Sequence, residues 1–302
     1  MKLIQDQKFS ITLFFIIFCR ILIPQKLSEY ARLGSGSACR SVYGGLVQWN
    51  GPNLEIMKEF FEKREKDINY LPDSATLQQL SNTCVSQQIL QESQQFYENV
   101  KMLIFCANFS SKEVPSTGGM KQSTDSSDFL KTRVLETVPK HMQKITNAIK
   151  NNDFDTFCDV TIKDSNSFHS VCLDSQPPIF YLNEFSKLII ALVEKLNSDL
   201  VQCKKEKKPY KIKNKIGYTY DAGPHAVLFI HKDSFDIIFA IFNQIFGLET
   251  CSLNKRAQNS LQDTLKIDVT EFQDLINFYK SRLTQQPSYL IQTEIGKGPS
   301  QI

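Results

Sequence analysis

The stretch from 216 to 246 most constrains the fold: two apolar runs of strand length, Ile216-Gly217-Tyr218-Thr219-Tyr220 and Ala226-Val227-Leu228-Phe229-Ile230, flank Asp221-Ala222-Gly223-Pro224. A Gly-Pro pair between two such runs reads as a turn, so the runs form a hairpin. Phe235, Ile238, Phe239, Ile241, Phe242 and Phe246 follow at helical spacing and make a core helix that packs on it. Upstream, Val100 to Cys106 supplies a buried strand. Leu182 to Leu200 is an amphipathic helix with Leu188, Ile189, Leu192, Val193 and Leu196 on its apolar face. Asp221 stands at the mouth of the hairpin. A carboxylate there either caps the turn, as aspartate commonly does before Gly-Pro, or has chemistry to perform.

A second stretch, Gly34-Ser35-Gly36-Ser37-Ala38-Cys39-Arg40-Ser41, follows the helix suggested by Leu27 to Leu33. Gly34 is a natural helix stop. Ser35 or Ser37 could cap a short helix whose free N–H groups, with the Arg40 fork, would converge on a phosphate or carboxylate. The residues alone leave an ordinary turn as the alternative. Ser116-Thr117 follows Pro115 in a turn and precedes Gly118-Gly119, which permit close backbone approach; on residues alone this is a capped loop before a helix at Asp128 to Thr137. Pro139 opens a helix carrying His141, which is expected to face solvent. Asp164-Ser165-Asn166-Ser167-Phe168-His169 is dense in polar groups but holds no third residue to orient a Ser/His pair. These side chains read as pocket wall and helix-packing hydrogen bonds, with His169 a satisfied, partly buried histidine.

At 302 residues and 41% hydrophobic content the chain allows two domains with packed cores. Thirty-five basic against 32 acidic residues leave a net charge of +3, so nothing global argues for nucleic acid. The eight cysteines are widely spaced with no Cys-x-x-Cys pair, which reads as free thiols in a reducing compartment. Ile11 to Cys19 is apolar after Lys2 and Lys8 and imitates a signal peptide. It is short for a membrane span, and no small-residue cleavage site follows it. Phe60 to Lys66 is a charged helical pattern, and Gln78 to Gln95 has few apolar anchors, so 52–95 reads as a surface excursion. Lys204 to Lys215 reads as a solvated basic loop, Cys251 to Leu265 as a polar connector, and Asp268 to Leu283 as a late helix.

The Gly34 to Ser41 run, Ser116-Thr117-Gly118-Gly119-Met120, Asp164 to His169 with Pro177-Pro178-Ile179-Phe180-Tyr181, and Tyr220-Asp221-Ala222-Gly223-Pro224 together, in this order, resemble diphosphomevalonate decarboxylase. That family belongs to the small-molecule kinase superfamily with galactokinase, homoserine kinase and mevalonate kinase. The resemblance runs from about Leu27 to Gly296-Lys297-Gly298-Pro299, which is similar to the family's C-terminus. It implies a two-domain α+β fold with a shortened first domain: 1–26 unassigned, 27–99 a remnant of the N-terminal domain with an insertion at about 52–95, and 100–302 the C-terminal domain.

The activity implied is ATP-dependent decarboxylation of diphosphomevalonate to isopentenyl diphosphate, with Mg-ATP as co-substrate, in a cytosolic homodimer that binds neither membrane nor nucleic acid. By resemblance Asp221 and Arg40 are catalytic. Ser35, Gly36, Ser37, Ala38, Cys39 and Arg40 form the substrate turn, and Ser116 and Thr117 meet the diphosphate. No metal ligand is implied, and His225 is not the base. The family's N-terminal lysine and Gly/Ser-rich ATP loop have no counterpart in this sequence, which suggests a truncated or wrongly joined gene. A related kinase that does not decarboxylate, and a non-catalytic fragment, are the rival expectations.

Overall fold

The computed structural model describes residues 24–34, 36–51, 53–67, 69–89, 94–107, 114–296 and 298. The apolar run at 11–19 and Ser35 lie outside the described residues. The chain divides into two compact units, one within Met1–Glu92 together with Ile295–Ile302, the other Ser93–Glu294.

The first unit opens with α1 (Pro24–Gly34), whose Leu27 and Ala31, one turn apart, bury against Val42. A 3-10 turn, Gly36–Val42, leads to β1 (Leu46–Trp49), then α2 (Leu54–Lys66), α3 (Ser74–Thr83) and β2 (Ser86–Ile89). Asn53 caps α2 by accepting from the Glu55 N–H, and no residue of α2 is buried. The excursion expected over 52–95 therefore differs at its end. β2 pairs antiparallel with β1, from Leu46 opposite Ile89 to Trp49 opposite Ser86. Backbone pairing to a partner forty residues away holds this strand, and its side-chain pattern carries no trace of that. Gly45 N–H donates to the Gly296 carbonyl at 2.8 Å. Gly298, at φ +96°, would place a Cβ 2.8 Å from Gly44 N, so only glycine lets the tail lie there.

The second unit comprises α4 (Gln94–Asn99), β3 (Val100–Cys106), α5 (Ser116–Ser126), α6 (Asp128–Thr132), a π turn (Arg133–Thr137), α7 (Val138–Lys150), α8 (Phe154–Asp174), α9 (Glu184–Glu206), β4 (Gly217–Thr219), β5 (Ala226–His231), α10 (Lys232–Phe246), β6 (Ser252–Leu253), α11 (Lys255–Thr264), α12 (Gln273–Lys280) and β7 (Tyr289–Glu294). Its sheet has the order β4-β5-β3-β7-β6. All neighbours are antiparallel except β6 and β7. β4 and β5 form the expected hairpin, with Tyr218 opposite Leu228. β3 is central and its Leu103 and Phe105 are fully buried. α10 packs Phe242 and Phe246 onto Phe105, with ring centroids 5.6 and 5.4 Å away.

Four expectations are corrected here. α9 runs past Leu200, because an Asn183/Ser186 capping box starts it and left-handed Lys207 ends it, so Lys204 and Lys205 lie in its last turn. The basic stretch is not simply solvated: Lys204, Lys211 and Lys215 pair with Asp155, Asp268 and Asp159. The connector after Cys251 is the edge strand β6 and α11, started by the Asn254 side chain on the Ala257 N–H and anchored by buried Ala257 and Leu261. His141 does not face solvent. It lies largely buried with Nδ1 3.0 Å from Asp164. Among the described residues no helix is long and apolar enough to cross a membrane.

Candidate functional site

In the first unit the Gly36–Val42 turn presents Gly36, Ser37, Arg40 and Ser41 outward, while Ala38 is half-buried. Cys39 points inward. Its side chain is 1% exposed, its Sγ donates to the Gly36 carbonyl at 2.9 Å and accepts from Ser86 Oγ at 2.9 Å, and its carbonyl takes Ser28 Oγ at 2.8 Å. Cys39 thus anchors the turn from below, and among the described residues of the turn the exposed side chains are the Ser37 and Ser41 hydroxyls and the Arg40 guanidinium. Arg40 stacks 5.7 Å from the centroid of Trp49, a cation–π contact that holds an exposed cation in place. A Cβ on Gly36 would stand 3.1 Å from the same indole, a tight approach to which the ring would have to yield. The indole's role was not legible in the sequence, since only the β1–β2 pairing sets where Trp49 lies.

In the second unit Ser116 and Thr117 are not in a loop but in the first turn of α5, after Pro115, which has no side chain able to cap it. The opening N–H groups of an uncapped helix point outward with the positive end of its dipole, and exposed Ser116 and Thr117 hydroxyls stand beside them. Gly119 is buried, and a Cβ there would fall well inside contact distance of Tyr181 Oη and 3.6 Å from Ile179 Cδ1. The expected close approach is therefore made, and Tyr181 is what approaches. Tyr181 and Ile179 belong to a small buried cluster with Cys172 and Ala222, against which Val114 and Phe168 pack. Val114 precedes the start of α5 and Ala222 follows Asp221, so one cluster supports both the helix N-terminus and the aspartate turn.

Asp221 itself is exposed, and Oδ1 accepts from the Ala222 N–H at 2.8 Å. The turn is pinned from both sides. Tyr220 N–H donates to Ser165 Oγ at 3.1 Å, Tyr220 Oη donates to the Ser186 carbonyl at 3.1 Å, and Ser186 Oγ donates to the Pro224 carbonyl at 3.0 Å. Ser165 and Ser186 are buried, and no local pattern in the sequence marks Ser186. His225 Nδ1 accepts from the Ala107 N–H at 3.3 Å, an engagement with backbone that suits a structural residue. Arg133 grips Asp164 with both terminal nitrogens, at 2.9 and 3.0 Å. Burial pushes the Asp164 carboxyl upward, but the Arg133 and His141 hydrogen bonds outweigh it and hold the group below the usual carboxylate range.

His169 is 7% exposed, among the rings of Phe168, Tyr181 and Tyr220. Its Nε2 has no hydrogen-bond partner, so it is not the satisfied histidine expected. Burial lowers its pKa to about 4, against smaller upward pulls from the Tyr220 backbone and Asp221. The unfolded chain, with histidine near 6.5, takes up the proton first as pH falls. This contribution to stability is complete above about pH 6.5 and is lost toward pH 4, at up to about 1.4 kcal/mol per pH unit. Denaturant titrations of wild type and His169→Asn across that window are expected to show the steeper pH slope in wild type. Equal slopes would exclude a buried neutral His169. Among the described residues no group of three His, Cys, Asp or Glu side chains could hold a metal ion.

Two family descriptions match the sequence: Mevalonate 5-diphosphate decarboxylase C-terminal domain over residues 102–302, and Diphosphomevalonate decarboxylase-like N-terminal domain over residues 17–55. The second match begins inside the apolar start, ten residues ahead of the expected Leu27. The diphosphomevalonate decarboxylase of Debaryomyces hansenii is 35% identical over 285 residues, covering 92% of this chain and 60% of that protein. Mevalonate diphosphate decarboxylase from Trypanosoma brucei superposes with a TM-score of 0.66 at 27% identity, covering 90% of this chain and 62% of the other. A structure described as MDDEF in complex with MVAPP, AMPPCP and magnesium superposes with a TM-score of 0.56 at 25% identity, covering 75% and 56%. The chain thus spans about six tenths of the length of the first two of these relatives.

Proposed function

This chain belongs to the diphosphomevalonate decarboxylase family, and from that membership we propose that it takes part in the ATP-dependent decarboxylation of diphosphomevalonate to isopentenyl diphosphate. The observation that carries the proposal is the convergence of the Asp221 turn and the uncapped start of α5 on one buried cluster. An exposed carboxylate and a helix end suited to an anion thus share the same support. Asp221 orients the C3 hydroxyl and accepts its proton as the hydroxyl oxygen takes the γ-phosphoryl group of Mg-ATP, with ADP leaving. A loose phosphoryl-transfer transition state needs little nucleophilic push, so a weak base suffices. The C3–O bond then breaks, phosphate departs with its electron pair, and positive charge develops at C3. The bond from C2 to the carboxylate supplies the electrons of the new C2–C3 double bond, and carbon dioxide leaves.

Ser116 and Thr117 with the α5 N–H groups hold the diphosphate. Ser35, Gly36, Ser37, Ala38, Cys39 and Arg40 form the second anion-binding turn, in which Arg40 supplies the charge and Cys39 the anchor. In this reading 27–99 is what the chain holds of the first domain, with the excursion inserted in it, and 100–302 is the C-terminal domain. The same reading has the chain work as a homodimer in the cytosol. Magnesium enters with the nucleotide as part of the substrate. A second reading is a non-catalytic chain that binds substrate without turning over ATP, because the family's Gly/Ser-rich ATP loop and lysine have no counterpart in this sequence.

Incubation with Mg-ATP and diphosphomevalonate labelled at C1 decides between these. Labelled carbon dioxide, ADP and phosphate in equal amounts is the expected result. ADP without carbon dioxide identifies a kinase. Saturable diphosphomevalonate binding without ADP identifies the non-catalytic chain, and neither binding nor turnover overturns the proposal.

A further inference from the structure

Asp221 is exposed, and both of its polar groups bond within its own turn: Oδ1 accepts from the Ala222 N–H at 2.8 Å and the backbone carbonyl accepts from the Gly223 N–H at 2.7 Å. These bonds give the turn its shape and leave its orientation in the molecule to be set from outside. Ala222 packs with Ile179 and Tyr181, but an apolar contact has no direction. Direction comes from the first turn of α9. Ser186 is fully buried there; its Oγ donates to the Pro224 carbonyl at 3.0 Å, and its own carbonyl accepts from Tyr220 Oη at 3.1 Å. A carbonyl has two acceptor sites, so the tyrosine hydroxyl shares it with the helix bond. One residue of one helix thus ties the chain on both sides of Asp221.

Ser186 is also the third helical residue of α9, where a capping box ordinarily carries Glu or Gln. Its hydroxyl takes the Asn183 N–H at a long 3.4 Å. The hydroxyl has one proton and two acceptors in reach, the Pro224 carbonyl and, at 3.1 Å, Asn183 Oδ1. Oδ1 is already served by the Ser186 N–H at 2.9 Å, so the proton goes to Pro224. A longer side chain would close the box equally well and could not reach that carbonyl from the same buried place. We propose that Ser186 is a positioning residue for Asp221, clamping the turn through Tyr220 and Pro224 so that the carboxylate projects in one direction. The proposal rests on the reading of Asp221 as the proton acceptor. α9 is a firm support for the clamp, since it is 23 residues long and sinks Ile189, Leu192, Val193 and Leu196 into the main core. Ser165 on α8 holds the Tyr220 N–H independently, so losing the clamp lets the turn swing rather than detach.

The test uses the full chain as wild type, Ser186→Ala, Tyr220→Phe, Asn183→Ala and, as control, Asp221→Asn, each checked by thermal melting. Amide hydrogen exchange at Ala222 and Gly223 is read beside carbon dioxide release from diphosphomevalonate and Mg-ATP. Ser186→Ala keeps its N–H for the Asn183 cap and loses the hydroxyl. It is expected to lose about ten- to a hundred-fold in kcat with KM for diphosphomevalonate unchanged, and to exchange faster at both amides. Tyr220→Phe keeps the packing of the ring, loses the other tie, and is expected to move both readouts the same way. Asn183→Ala removes the helix cap and leaves the Ser186 hydroxyl to Pro224, so it is expected to melt lower and to keep most of kcat. Exchange unchanged in both Ser186→Ala and Tyr220→Phe overturns the clamp, and in a chain without turnover this comparison alone decides it. Faster exchange with unchanged kcat overturns the positioning role, as does a kcat that follows melting temperature across the three variants. Full turnover in Asp221→Asn overturns the reading of the base instead, and faster exchange in Ser186→Ala then still supports the clamp.

Discussion

Asp221→Asn is expected to fold normally, to bind diphosphomevalonate within about two-fold of wild type, and to lose about a thousand-fold or more in turnover. The size follows from general base catalysis, which contributes about a hundred- to ten-thousand-fold. The specificity follows from the geometry. The carboxylate is exposed, so removing its charge leaves no buried group uncompensated, and the single bond it accepts, from the Ala222 N–H, is one that the Asn side-chain oxygen also accepts. Removing a negative charge near an anionic substrate does not weaken binding either. Product release of carbon dioxide and calorimetric binding, measured on one preparation, check both halves. Turnover near wild type sinks the role of Asp221. A large loss of binding with kcat retained would make it a binding group only.

The largest expected effect on stability comes from Phe105→Ala. Phe105 is the penultimate residue of the central strand, pairs with Ala226 on one side and Leu290 on the other, and is fully buried under Phe242 and Phe246. Neither neighbouring strand can close the gap without breaking its ladder, so the site collapses poorly. Such a truncation costs about 3–5 kcal/mol, which lowers the melting temperature of a unit of this size by roughly 10 °C. Thermal melting followed by circular dichroism measures it. A loss below about 1 kcal/mol would mean that this ring is not at the core. The candidate site shares that core, because Tyr220 and Ala226 flank the Asp221 turn and are buried in it.

Most of the second unit's elements were legible because their signals are local. The apolar spacing of Phe235 to Phe246 and the two runs around Asp221-Ala222-Gly223-Pro224 become α10 and the β4–β5 hairpin. The misses share one cause. Ser86 to Ile89 has no strand pattern of its own and is held by pairing with β1. α11 reads as polar because only Ala257, Leu261 and Thr264 of its ten residues are buried. His141 looks like a surface residue until Asp164, twenty-three positions on, is set beside it. For the candidate site, Asp221, Arg40, Ser116 and Thr117 were legible as residue types in suggestive turns, but Trp49, Tyr181 and Ser186 were not.

The sequence alone determined most of the second unit's helices and strands and the residue types of the candidate turns, hydroxyls, a carboxylate and an arginine among them, because those depend on neighbours a few residues away. Only the tertiary structure decided that Cys39 turns inward between Gly36 and Ser86, that Gly119 makes way for Tyr181, and that Ser165 and Ser186 brace the chain on either side of Asp221. Each of those rests on a contact between residues tens of positions apart, for Cys39 the one with Ser86. No local preference encodes such a contact, since the same side chains would satisfy their hydrogen bonds with water until the packing of helix on sheet removes the water and leaves one partner within reach.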